Sequence, residues 1–182
     1  MQSSLVPFLR KNLDILFVGL NPAKGSSVNR HYFSVNQSFW NQLFDSGLIK
    51  QYVDKSVADT IVFGSTSINR NNWSYGITDL VTRIAESDST KIHPTQSDCE
   101  RLHNSIIKFE PRVVVLLHGK VLDNYLPYLG KPIPISNSGK MGNLIKNHKT
   151  MFFNIAFPHG NTIPSIEKVK HYKRIIEYLD GN

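Results

Sequence analysis

Short apolar runs along the chain alternate with stretches in which apolar residues recur every three or four positions. Four runs read as buried strands: "LDILFVGL" at 13–20, "YGITDLV" at 75–81, "VVVLL" at 113–117 and "MFFNIAF" at 151–157. They are short and rich in β-branched or aromatic residues, and Asn-Pro or Pro follows the first and last. Between them the period lengthens. Asn36 or Ser38 is placed to cap a helix with Phe39, Trp40, Leu43 and Phe44 on one face. Thr95 caps the next, with Cys99, Leu102, Ile106 and Phe109 at helical spacing, and Pro111 ends it. A short helix opens at Gly119 and runs through Tyr128, and a last one runs from about 164 to 179. The last helix turns Ile166, Val169, Tyr172, Ile176 and Leu179 inward. The remaining segments read as a polar loop at 58–72 around "TIVFG", a proline-containing edge strand "KPIPI" at 131–135, and a basic loop at 139–148.

Strands alternating with helices predict an α/β chain: a three-layer α/β/α sandwich around a central, mostly parallel sheet. At 182 residues, with no repeat, low-complexity segment or linker, residues 1–182 are expected to form a single domain. Ligands in such sheets bind outside the carboxyl ends of the strands. Two of those ends are chemically rich, "GLNPA" after the first strand and "FPHGNT" after the last.

Charge adds a partner class. Lys and Arg number 21 against 14 Asp and Glu, a net charge of +7. Such a balance favours polyanions, nucleic acid above all, with plain solubility as the competing explanation. One cysteine, Cys99, forbids an intrachain disulfide and a four-cysteine iron–sulfur cluster. The seven histidines are scattered without a His-x-x-x-His or Cys-x-x-Cys pair, so neither a metal nor another cofactor is expected. No stretch is long and apolar enough for a bilayer, and "MQSSLVPFLRKNLD" lacks a signal-peptide core. A cytoplasmic monomer is the expectation.

In "GLNPA", Gly19 admits close approach of a ligand, and Pro22 restricts Asn21 to an extended conformation. Asn21 offers a carbonyl acceptor and an amide donor pair without a useful pKa. It can therefore hold and aim a water, or it can close a turn through its own backbone. In "RHYFSVNQSFW", Arg30 and His31 suit phosphate, and Tyr32 or Phe33 could stack on a base. Core packing is the alternative for Tyr32 and Phe33, and is expected of Phe39 and Trp40. In "FPHGNT", His159 could donate to a developing negative charge, or be a surface histidine in a turn.

These segments together resemble the uracil-DNA glycosylase superfamily, and most closely its mismatch-specific uracil/thymine branch. "GLNPA" is similar to that branch's Gly-x-Asn-Pro-Gly, "NQSFW" to its Asn-x-Phe-Trp, and "YGITDLVTR" to its Gly-Val-Thr-Lys-Leu-Val. "FPHGNT" is similar to its C-terminal Asn-Pro-Ser-Gly-Leu-Ser or His-Pro-Ser-Pro. The resemblance runs in order from Leu13 to about Leu179. It implies a monofunctional DNA glycosylase that flips a damaged or mismatched base out of DNA and needs no cofactor. Asn21 would hold the attacking water. Leu20, Phe33 and Phe157 would line the base pocket, with Phe33 stacked on the base. Gly160, Asn161 and Thr162 would press into the duplex, and Lys24 and Arg30 would meet phosphates. Lys140, Lys146, His148 and Lys149 are further phosphate candidates.

Two departures stand out. Ala23 replaces the usual glycine, and Phe157 stands where relatives carry the His or Asn that donates to the leaving base. Losing such a donor costs about 2.7–4 kcal/mol by analogy with oxyanion holes. His159, two residues on, supplies it if the loop turns that way; otherwise the pocket accepts a different base, or none. Phe157 also keeps open a catalytically inactive nucleic-acid-binding relative. A nucleoside-processing enzyme on the same frame is a third reading, although no Gly-rich dinucleotide or P-loop fingerprint is present.

Overall fold

The computed structural model describes residues 1–181. Its strands are β1 (Ile15–Gly19), β2 (Tyr75–Asp79), β3 (Val113–Leu116), β4 (Gly139–Gly142) and β5 (Met151–Asn154). They form one sheet in the order β2-β1-β3-β5-β4. β1 pairs in parallel with β2 and β3, and β3 with β5, while β4 runs antiparallel to β5 at the edge. The helices are α1 (Lys24–Asn29), α2 (Ser38–Ser46), α3 (Ala58–Gly64), α4 (Gln96–Phe109), α5 (Gly119–Tyr128) and α6 (Ser165–Asp180).

Every residue of the four parallel strands is buried, which is why they read as continuous apolar runs. The two-residue strand period still sorts their side chains. Ile15, Phe17, Val113, Val115 and Phe153 enter one core, with Phe39, Trp40 and Leu43 of α2, Val62 and Phe63 of α3, and Tyr172 and Ile175 of α6. Leu16, Val18, Val114, Leu116 and Phe152 enter the other, with Cys99, Leu102 and Ile106 of α4 and Val121, Leu122 and Tyr125 of α5. Helices therefore cover both faces of a mostly parallel sheet, the expected three-layer sandwich. Phe17 ties the first core together, with its ring edge-on to Phe39 at 5.4 Å and to Tyr75 at 6.2 Å. Truncating such a side chain costs about 3–5 kcal/mol. β1, the strand that carries Asn21 at its end, is thus rigidly seated.

The Thr95 cap forms as expected. Its hydroxyl accepts from the Asp98 N–H at 3.3 Å, and the Asp98 carboxylate accepts from the Thr95 N–H at 2.8 Å. Glu110 ends α4 in the left-handed conformation, one residue before Pro111.

Several expectations are corrected. Residues 58–72 are not simply a loop: they contain α3 and a turn of 3-10 helix at Arg70–Asn72. The segment 131–135 forms no strand. The edge strand is β4, whose glycines at 139 and 142 adopt positive φ, and it takes up the start of the supposed basic loop. The "KPIPI" prolines lack the N–H groups a ladder needs. Phe44 and Ile166 lie on the outer sides of α2 and α6 and are exposed. Among the described residues, no helix is long and apolar enough to cross a membrane.

Candidate functional site

The carboxyl ends of β1, β2 and β3 and the segment after β5 meet around a cavity of about 590 Å³. Gly19, Leu20 and Asn21 come from β1 and its exit, Asp79 from β2, His118 from the exit of β3, and Phe157 from beyond β5. This is the strand-end crevice expected of a parallel sheet, and its volume suits a nucleotide-sized ligand.

Asn21 is held through its amide. Nδ2 donates to the carbonyls of Pro22 at 2.9 Å and Glu86 at 2.8 Å. Both donor hydrogens are committed, and Oδ1 makes no hydrogen bond among the described residues. The nitrogen thus ties the turn, as one of the two expectations had it, and Asn21 lines the cavity with its carbonyl oxygen uncommitted. The Glu86 segment is itself pinned, because its N–H donates to Pro22 O at 3.0 Å and its carboxylate pairs with Lys24 at 2.9 Å. The Lys24 hydrogen bond, with help from the Asp88 N–H, holds the Glu86 carboxyl well below its usual range.

Gly19 makes room for the Asp79 carboxylate. A Cβ at Gly19 would collide with Asp79 Oδ1. The Asp79 side chain is buried in the cavity wall, and Oδ2 has no hydrogen-bond partner. Burial pushes this carboxyl up to about 7, against the opposing pull of Arg101. Arg101 spends its own hydrogen bonds on the main-chain oxygens of Asp79 and Leu80. Below about pH 7 Asp79 is a donor at the cavity wall, and above it an acceptor.

His118 caps α5. Its Nδ1 accepts from the Lys120 N–H at 3.0 Å. Burial, then the charge of Lys120, pulls the imidazole below its usual range, with Asp123 opposing. Its ring stands edge-on to Phe157 at 5.7 Å. Phe157 also touches Phe33 at 6.0 Å and His159 at 5.0 Å.

Phe33 lines the cavity with its ring stacked on Phe39 at 4.2 Å. Its φ is +51°, a conformation that costs a bulky residue about 1 kcal/mol or more. Trp40 Nε1 donates to its carbonyl at 3.3 Å and helps hold it there. Tyr32, by contrast, packs into the core, although it also reaches the cavity wall.

The loop after Phe157 carries Gly160 at φ +72°. Asn161 folds back on the loop, donating to the carbonyls of Phe157 at 2.7 Å and His159 at 3.1 Å. Two buried donors fasten its base: Gln42 Nε2 at 3.0 Å and Lys168 Nζ at 3.3 Å from Pro158 O. His159 is exposed at the rim and its ring makes no hydrogen bond among the described residues. Partial burial of the ring against the loop, and then the charge of Lys168, lower its pKa.

The structure thus brings Leu20, Asn21, Phe33, Phe157, His159, Gly160 and Asn161 to one cavity. Thr162 follows on the same exposed loop without lining it, and Lys24 sits beside the wall at Ala23. Arg30 does not join them. It borders a separate depression with Ser4 and Asp59, and His31 pairs with Asp59 at 2.8 Å rather than standing free for phosphate. Lys146, His148 and Lys149 lie in the turn that enters β5, at the opposite end of the strand from the cavity, and Lys140 Nζ lies over the Tyr178 ring at 5.1 Å. Sequence reasoning missed Asp79 and His118. Both carry the signature that singled out Asn21, a polar side chain where an apolar strand stops. No cluster of three or more His, Cys, Asp and Glu among the described residues is arranged to hold a metal ion.

No curated protein matches the chain. The family model of the Uracil DNA glycosylase superfamily matches residues 6–179. That span covers the whole sheet and every strand end around the cavity, and the chain belongs to the Uracil DNA glycosylase superfamily, whose members are DNA glycosylases.

Proposed function

We propose that the chain is a monofunctional DNA glycosylase. It hydrolyses the N-glycosidic bond of uracil, or of a related deaminated or mismatched base, flipped out of DNA, as in the mismatch-specific uracil/thymine branch. The observation that carries this reading is the commitment of Asn21 Nδ2 to the carbonyls of Pro22 and Glu86. With both donors used, the side chain can act on a ligand only through Oδ1, as an acceptor that orients a water.

The base enters the cavity because its glycosidic bond is shielded inside the stack. Phe33, held on Phe39, is a rigid platform for its face. The C1′–N1 bond breaks and its electron pair leaves with the base. The water on Asn21 Oδ1 bonds to the oxocarbenium-like C1′ and gives its proton to solvent. The products are free base and an abasic site. Gly160, Asn161 and Thr162 press into the space the nucleotide vacates, and the net charge of +7 favours the phosphates.

Phe157 favours a second reading, a relative that binds nucleic acid without releasing a base. One experiment separates them. Duplexes carrying uracil, hypoxanthine or mismatched thymine, and single-stranded uracil DNA, are incubated with the protein, and abasic sites are scored by alkaline cleavage. Release that disappears in Asn21→Ala establishes the glycosylase. Salt-sensitive binding with no release from any substrate establishes the second reading.

A further inference from the structure

Phe157 presents an apolar ring to the cavity and offers no side-chain hydrogen-bond donor there. His118, whose ring stands edge-on to Phe157 at 5.7 Å, carries one. We propose that His118 is a catalytic residue, its neutral imidazole donating a hydrogen bond from Nε2 to the carbonyl oxygen of the leaving base. This inference rests on the glycosylase reading above.

Three observations carry it. First, the tautomer is set. His118 Nδ1 accepts the Lys120 N–H at 3.0 Å, so the neutral ring carries its proton on Nε2. Nε2 makes no hydrogen bond among the described residues, and the ring lines the cavity. Second, the ring is fixed: it caps α5 and stands edge-on to Phe157 at 5.7 Å. A donor that needs no reorganisation is the kind that lowers a barrier where charge develops. Third, burial and then the charge of Lys120 lower the pKa of the ring against the pull of Asp123, which favours its neutral form. A neutral imidazole polarises a carbonyl oxygen without losing its proton.

The chemistry balances without an added reactant. As the C1′–N1 bond breaks, negative charge spreads from N1 onto the base oxygens. His118 keeps its proton and shares it through the hydrogen bond, and the base leaves as an anion. His159 serves this role less well. Its ring is exposed and unanchored by any hydrogen bond among the described residues, so it would have to be ordered for each turnover.

Single-turnover excision is measured on duplexes carrying uracil or 5-fluorouracil, with wild-type protein, His118→Ser, His118→Ala and His159→Ala. Serine is a preferred N-cap, so His118→Ser retains the α5 cap while removing the donor. Binding to a duplex with an abasic-site analogue checks folding. The expected loss in His118→Ser and His118→Ala on uracil is about 10²- to 10³-fold, as for a lost oxyanion donor. The loss on 5-fluorouracil is smaller, because a better leaving group needs less help. His159→Ala stays within a few-fold of wild type. A loss in His159→Ala that equals or exceeds the loss in His118→Ser assigns the donor to His159 and overturns the role of His118. An equal loss on both bases, or none, overturns the role of His118 and leaves the glycosylase reading standing. Wild-type protein that releases neither base overturns both.

Discussion

The side-chain nitrogen of Asn21 lies 2.8 Å from the main-chain oxygen of Glu86, 65 residues away in the chain. The bond joins the exit of β1 to the segment after β2. It fixes Asn21 in the one orientation that leaves its carbonyl uncommitted. Asn21→Ala removes the acceptor and is expected to lower excision by at least about 10²-fold, the scale of a misplaced reacting group. DNA binding should be spared, because a neutral amide contributes no charge to the electrostatic attraction of phosphates. Asn21→Asp should be as inactive. It turns an acceptor oxygen towards Pro22 O and Glu86 O, and repulsion expels it from its place. Gel-shift and single-turnover assays on the same preparations check both variants, and an active Asn21→Asp would show that the amide donors are dispensable.

Asp79 makes stability depend on pH. Its carboxyl ionises at about 7 in the folded state against 3.8 when unfolded. Between those values the folded chain holds more protons than the unfolded one, so this group's contribution to stability falls as pH rises from about 4 to about 7. Asp79→Asn removes the penalty. The variant should match wild type near pH 4 and be more stable at pH 8, by about 4 kcal/mol at most. Urea unfolding at both pH values reads the difference, and a variant less stable than wild type at pH 8 would mean that the carboxylate has found a partner.

Legibility followed locality. β1, β3, α4, α5 and α6 could be read because a short apolar run, a Thr95–Asp98 capping box or a three-to-four-residue period is written in consecutive residues. α3 could not. Its Asp59 looks like a loop residue, yet it is buried to accept the Tyr32 N–H at 2.7 Å and to meet His31, partners about thirty positions upstream. β4 escaped for the opposite reason: "GKMG" has no apolar alternation, and its pairing with β5 shifts register between Lys140 and Gly142, with both glycines at positive φ. At the site, Asn21 and the "FPHGNT" loop were visible as strand exits. Asp79 and His118 are strand exits as well. Their weight comes from a missing partner at Asp79 Oδ2 and from a cap on Lys120 N, neither of which any local pattern records.

The capping box of α4 offers a control away from the cavity. Thr95→Ala removes the hydroxyl that accepts the Asp98 N–H, while Asp98 keeps its ion pair with Arg83 at 2.7 Å. The expected cost is about 1 kcal/mol of stability. Excision by the folded variant should equal wild type, since neither residue lines the cavity. Thermal unfolding and single-turnover excision together test this, and a loss of rate in folded protein would reveal coupling from α4 to the strand ends.

Lys168 poses the reverse case, a buried charge tied to the loop beside the cavity. Its side chain is 2% exposed, and its Nζ donates to the Pro158 carbonyl beside Gln42 Nε2. Burial lowers its pKa. The unfolded chain therefore binds this proton more tightly, and the group's contribution to stability rises with pH as the buried ammonium gives up its charge. Lys168→Met keeps the bulk and discards the desolvated charge, so the variant should be as stable as wild type at pH 7 or more so. The Pro158 carbonyl then keeps only Gln42, and the loop that mounts Phe157 and Gly160 loses one of its two fastenings. Excision should fall by about fivefold, the equivalent of one net hydrogen bond. Urea unfolding paired with single-turnover excision separates the two effects. A variant that loses stability and rate together would make Lys168 a structural residue, whereas a rate loss at undiminished stability marks it as the anchor of the loop.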